Sequence, residues 1–232
     1  MASAAVALKF IVVPPRAPHT ATIIFLHGLS DSGDDLKDIA IRLASQFPYV
    51  KLVLPHAPFK PITINGGLEM PAWFDLYAMP TVDANLNEDE EGVLKSSALV
   101  KELVEVENAA GIPNERIVIG GFSQGAALSL VHGLTSQDKY AGLAVLSGRL
   151  LMRNKIQTIL GPNASSTHIF WGHGTSDVTV PYELGQLCVD HLQSNLNFEN
   201  IEFNSYQGLA HSTEQKEIAD LSAWLGKVIP PS

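Results

Sequence analysis

Ser123 stands between Gly121 and Gly125, after the run Ile117-Val118-Ile119-Gly120 and before Ala126-Ala127-Leu128-Ser129-Leu130-Val131-His132. A serine hydroxyl is a weak nucleophile at neutral pH; it needs a base to take its proton and an acid to orient that base. A β-branched strand, a serine with glycines at minus two and plus two, and a helix free of breakers form the context of a nucleophile elbow. A five-residue match also fits a glycine-rich turn whose serine merely caps a helix, but the flanking strand and helix favour the nucleophile. In an elbow the serine is held in a strained turn, and a side chain at either glycine would collide with the packed strand and helix. The helix start adds backbone N–H groups and partial positive charge beside the serine oxygen.

The partners must follow in the order serine, acid, histidine, each in a loop after a parallel strand. Asp177 follows the strand His168–Trp171, and His211 follows the strand Ile201–Tyr206 just before the last helix. His27, His56 and His173 also follow strands, but they are misplaced relative to serine and acid or stand too close to the acid. His132, His168 and His191 fall inside predicted elements, where structural roles are the expectation. Acyl transfer further requires two N–H donors aimed at the developing oxyanion. One is expected from Gln124, the residue after the nucleophile, and the other from the loop His27-Gly28-Leu29.

The elements that must position these residues alternate strand and helix. Thr22–Leu26 reads as a buried strand, Asp34–Phe47 as an amphipathic helix and Lys51–Leu54 as the next strand, which implies a parallel sheet with helical crossovers. A helix is expected over Val93–Ala110. The acids Glu88-Asp89-Glu90-Glu91 at its start suit the helix dipole and are assigned no binding role. Gly142–Ser147 is a further strand, and helices are expected over Tyr182–Leu196 and Thr213–Val228. Residues 55–80 differ: prolines at 55, 58, 61, 71 and 80 with Asn65-Gly66-Gly67 exclude a long helix or a central strand. This apolar, irregular stretch is expected to pack on the core or to wall an acyl groove, with Ile62, Ile64, Leu68, Met70 and Trp73 as the candidate lining.

At 232 residues with 46% hydrophobic and 17% charged residues, the chain can bury a large core, and it reads as a single domain over 1–232. The net charge of −9 argues against binding nucleic acid or an anionic membrane. The single cysteine, Cys188, excludes an intramolecular disulfide framework and a multi-cysteine zinc site, and reads as an inert buried thiol. The sequence contains no H-E-x-x-H, no comparable metal-ligand cluster and no phosphate loop, so neither metal nor cofactor is expected. The apolar start Met1–Val13 is too short for a leader and is interrupted by Lys9. No segment approaches a membrane span. A cytoplasmic protein is expected, with the nucleus also open to it.

The chain resembles the acyl-protein thioesterases and related lysophospholipase-like small carboxylesterases of the α/β-hydrolase superfamily. The resemblance runs through Leu26-His27-Gly28-Leu29, Pro55-His56-Ala57-Pro58, Met70-Pro71-Ala72-Trp73-Phe74-Asp75, Gly120-Gly121-Phe122-Ser123-Gln124-Gly125, Gly172-His173-Gly174 with Asp177, and Gly208 with His211-Ser212. It implies an α/β-hydrolase fold with a mostly parallel sheet, helices on both faces and no separate lid domain. It also implies a triad of Ser123, Asp177 and His211 with oxyanion donors at Leu29 and Gln124. The implied activity is removal of fatty acyl groups from cysteine thioesters on proteins. Hydrolysis of lysophospholipids or simple esters is a related reading, and a hydrolase-fold ligand receptor is a third. Substrates would be S-acylated proteins or acyl lipids, with transient membrane-surface contact and a monomer or weak homodimer as expectations. Ser30 stands where the family often has glycine, and Ala126 where a third glycine is common. Ser147-Gly148-Arg149 stands where animal members carry a cysteine and a tryptophan, so Arg149 is expected to reshape the acyl groove. Ala2 removes a near-terminal cysteine that some members palmitoylate.

Overall fold

The computed structural model describes residues 8–82 and 87–231; the position of Ala2 lies outside them. Among these described residues nine strands and five α-helices follow one another as β1 (Phe10–Val13), β2 (Ala21–Leu26), α1 (Lys37–Gln46), β3 (Val50–Pro55), β4 (Phe59–Ile62), β5 (Leu68–Pro71), α2 (Glu90–Ala109), β6 (Ile117–Phe122), α3 (Gln124–Thr135), β7 (Gly142–Leu146), β8 (Ile169–Gly174), α4 (Tyr182–Asp190), β9 (Ile201–Tyr206) and α5 (Gln215–Val228). Seven of the strands form one sheet in the order β1-β3-β2-β6-β7-β8-β9. All its neighbouring pairs are parallel except β1 against β3.

The central strands β2, β6 and β7 are buried along almost their whole length, as continuous apolar runs covered on both faces must be. One face of the sheet packs Ile24, Ile119, Val145 and Trp171 against α2, α3 and α4. The other packs Ile23, Val118, Ala144 and Phe170 against α1 and α5. The period of two along each strand thus divides the core between the two helical layers.

Three elements differ from the sequence expectation. Phe10–Val13 is an antiparallel edge strand, half-exposed and too short for its alternation to declare it. Within the stretch expected to be irregular, β4 and β5 form a separate antiparallel hairpin. Its prolines sit at positions an isolated two-stranded ribbon tolerates, since no third strand needs their missing N–H. The helix over Tyr182–Leu196 is α only to Asp190 and closes with a π turn over His191–Asn195. No separate lid is evident among the described residues.

The sheet order places five loops side by side at the carboxyl edge. Those after β2, β6, β7, β8 and β9 carry, in turn, Leu29, Ser123, Arg149, Asp177 and His211. Brought from across nearly two hundred residues of chain, they meet where open α/β sheets present their ligand-binding groups.

Candidate active site

Ser123 has φ 54° and ψ −116°, a conformation that L-residues rarely adopt, between the end of β6 and the first residue of α3. Two hydrogen bonds fix it there: Ser123 N–H to the Leu146 carbonyl at 2.9 Å and Ala127 N–H to the Ser123 carbonyl at 3.0 Å. The flanking glycines are required by contact. A Cβ on Gly121 would lie 2.5 Å from the Leu26 carbonyl oxygen, and one on Gly125 would lie 2.3 Å from the same atom. Strand β2 therefore packs directly on the elbow and carries the following loop to the serine.

His211 Nε2 lies 2.8 Å from Ser123 Oγ, and His211 Nδ1 lies 2.7 Å from Asp177 Oδ2. A carboxylate only accepts, so the ring hydrogen sits on Nδ1 and Nε2 is left to take the serine proton. Asp177 Oδ1 accepts from the Thr179 and Val180 N–H groups, each at 2.9 Å. Burial alone would raise the Asp177 pKa, but hydrogen bonds from His173, His211 and the Val180 N–H outweigh it and hold the carboxyl well below the usual carboxylate range. The two loops are tied together by Ser176 N–H on the Leu209 carbonyl at 2.9 Å. Phe122 supports the His211 ring at 4.8 Å between centroids.

His173 lies within β8, fully buried, rather than in the loop after it. Its Nε2 is 2.9 Å from the Val180 carbonyl and 3.5 Å from Asp177 Oδ2, so it supports the acid's loop and does not reach Ser123.

The loop His27-Gly28-Leu29 is held from beneath. His27 Nε2 accepts the Ala57 N–H at 2.9 Å, which leaves Nδ1–H to donate to the Gly28 carbonyl at 2.7 Å. Ser30 N–H donates to the Pro71 carbonyl at 2.9 Å. Ser30 has φ 66°, in the left-handed region that favours glycine. Leu29 and Gln124 border the same pocket as Ser123. Gln124 is also the first residue of α3, where the N–H has no intrahelical acceptor.

That pocket is apolar. Phe74, Leu76, Met79, Pro80, Ala127 and Val180 line it together with Arg149. Of the groove residues expected from sequence, only Arg149 borders it. Ile62 and Trp73 are fully buried in the core, and Leu68 and Ile64 are 64% and 37% exposed on or beside the hairpin. Met70 is a half-buried hairpin residue whose sulfur accepts from Asn65 at 3.5 Å. The correction has a simple cause: the apolar stretch folds back as a hairpin before its later half reaches the site, so the lining begins at Phe74.

Arg149 is itself nearly buried, and its charge is met by Glu88, with side-chain exposures of 10% and 12%. The other Glu88 oxygen accepts the Met152 N–H at 2.6 Å. Nothing in an acidic run before a helix distinguishes this carboxylate, and sequence reasoning gave it to the helix dipole. Its neighbour Asp89 does cap α2, accepting the Gly92 N–H. Among the described residues no group of side chains is arranged to hold a metal ion.

Comparison with known proteins shows the family. The model of the phospholipase/carboxylesterase family matches residues 8–229. The chain belongs to that family. Acyl-protein thioesterase 1 of Mycosarcoma maydis is 44% identical over 238 residues, covering 96% of this chain and 98% of the relative. Acyl-protein thioesterase 1 of Cryptococcus neoformans is 42% identical over 229 residues, covering 94% and 96%. The crystal structure of Zea mays acyl-protein thioesterase 2 superimposes with a TM-score of 0.84 at 30% identity, covering 95% of this chain and 99% of that one. The fold is that of an α/β-hydrolase and the protein is a serine hydrolase.

Proposed function

We propose that this protein, folded as one α/β-hydrolase domain, hydrolyses fatty acyl thioesters on S-acylated proteins through a covalent acyl-enzyme on Ser123. His211 takes the Ser123 proton as Oγ attacks the thioester carbonyl, and the Leu29 and Gln124 N–H groups receive the oxyanion. Collapse of the tetrahedral intermediate breaks the C–S bond; the thiolate leaves and takes the proton from His211. Water, deprotonated by His211, then attacks the acyl-enzyme and releases the fatty acid with Ser123 reprotonated. Asp177 keeps the imidazole in the required tautomer and stabilises its charge in both halves.

The observation that carries the reading is the Ser123–His211–Asp177 chain of hydrogen bonds opening into a pocket walled by Phe74, Leu76 and Met79. Relatives named acyl-protein thioesterase support the substrate class. The family description favours a second reading, a carboxylesterase or lysophospholipase acting on oxygen esters with the same groups. A ligand receptor is disfavoured by a hydrogen-bonded nucleophile, base and acid.

The test is kcat/KM over a series of acyl thioesters and matched oxygen esters. Each buried methylene contributes about 0.8 kcal/mol, so four more methylenes give up to about 3 kcal/mol, roughly a hundredfold. A rise from acetyl to at least octanoyl thioester is expected, and a flat or falling series would favour the short-ester enzyme. Ser123→Ala should lose at least about a thousandfold in turnover and all labelling by a serine-directed phosphonate. Labelling at the wild-type rate would move the nucleophile elsewhere.

A further inference from the structure

We infer that the side chain of Gln124, separately from its backbone N–H, is a positioning residue that fixes the acyl-binding wall to the nucleophile elbow and so sets chain-length selectivity. The inference rests on the reading of Ser123 and its pocket given above. Gln124 Oε1 accepts the Trp73 N–H at 2.8 Å and Gln124 Nε2 donates to the Phe74 carbonyl at 2.8 Å. The side chain is nearly buried, at 8% exposure. One planar amide thus presents an acceptor and a donor to consecutive backbone groups of the segment after β5, as a neighbouring strand would. Buried backbone groups need partners, and this irregular segment has no ladder to supply them.

The segment it holds is the beginning of the pocket wall, since Phe74 and Leu76 line the cavity beside Ser123 and Gln124. The other ties on Trp73 lead elsewhere. Its carbonyl accepts from Lys60 Nζ at 2.7 Å and from Ser96 Oγ, and its indole N–H donates to the His27 carbonyl at 2.9 Å. Trp73 therefore joins the hairpin, α2 and the oxyanion loop, while Gln124 alone among these contacts bonds the wall to the residue next to the nucleophile. An acyl chain pressing on Phe74 is resisted through that amide, and the reacting carbonyl stays registered against the oxyanion donors.

The experiment compares wild type, Gln124→Met and Gln124→Glu on p-nitrophenyl octanoate and p-nitrophenyl acetate, with melting temperatures for all three. Methionine keeps the length and loses both hydrogen bonds. Glutamate keeps an acceptor for Trp73 but turns a second acceptor on the Phe74 carbonyl. The octanoate-to-acetate ratio of kcat/KM is expected to fall about tenfold in both variants, as if about two methylenes were no longer buried. The loss should appear mainly in the octanoate KM. An equal loss on both esters, or an unchanged ratio, would overturn the role even if the melting temperature fell. Gln124→Glu decides the question by the same criterion if Gln124→Met does not fold. A wild-type ratio near one would remove the acyl pocket and this role with it. A high wild-type ratio kept by the variants would overturn the role of Gln124 alone.

Discussion

Glu217 offers a sharp test of how the last helix is held to the sheet. It lies on α5, fully buried, facing Gly172 of β8 so closely that a Cβ there would come within 2.3 Å of its Oε1. Neither carboxyl oxygen makes a hydrogen bond within the described residues. Burial pushes its pKa from 4.5 to about 8, and the carboxylates of Glu214, just before the helix, and Asp220, on it, add to the rise. The folded protein therefore keeps a proton that the unfolded chain releases above the ordinary glutamate pKa. The stabilisation is fully present below pH 4.5 and is lost as pH rises through about 8. About three and a half pH units at ~1.36 kcal/mol each give about 4–5 kcal/mol as the largest loss. Glu217→Gln removes the titration and keeps the shape. Urea unfolding of both proteins at intervals from about pH 5 to pH 8.5 should show the variant gaining about 3–5 kcal/mol relative to wild type across the range. Titrations elsewhere cancel in the difference. A difference constant to within about 0.5 kcal/mol would refute a buried, protonated Glu217.

Asp177→Asn should lower turnover by roughly ten-thousandfold while the protein still folds, since the imidazole loses the partner that fixes its tautomer; His173→Ala should be much milder in steady-state kinetics, and a reversed ranking would refute Asp177 as the acid that orients His211. Arg149→Met leaves Glu88 buried without its cation and should destabilise by about 3–5 kcal/mol, whereas Arg149→Met with Glu88→Gln should recover most of that, as a double-mutant cycle in urea would measure. The double variant should also shift the optimal acyl length in the ester series, because Arg149 borders the pocket. Leu76→Ala should reduce the preference for octanoyl over acetyl esters while Leu68→Ala leaves it unchanged; equal effects would restore the hairpin as the groove.

The strand-turn-helix around Ser123 was legible because its constraints are local. Glycines at minus two and plus two are dictated by backbone contacts that any elbow makes, and β-branched runs declare buried strands. The order serine, acid, histidine was legible because each partner follows a strand end, and parallel strands bring their carboxyl ends to one edge. Sequence separation could then stand in for space. The same logic picked out Asp177 and His211, which the structure brings within hydrogen-bond distance of one another and of Ser123, but not the pocket wall. Which half of residues 55–80 faces the site depends on a hairpin that removes Leu68 and Ile64 to the surface and Ile62 and Trp73 to the core, and alternation in so short a stretch does not say which side meets the sheet. Glu88 was hidden for a different reason: an acid before a helix suits the dipole whether or not an arginine from the loop after β7 lies against it. The side-chain bonds of Gln124 and the buried proton of Glu217 are likewise matters of proximity between segments far apart in the chain. Local sterics wrote the strand-turn-helix around Ser123 into the sequence; the packing of distant loops alone decided what surrounds it.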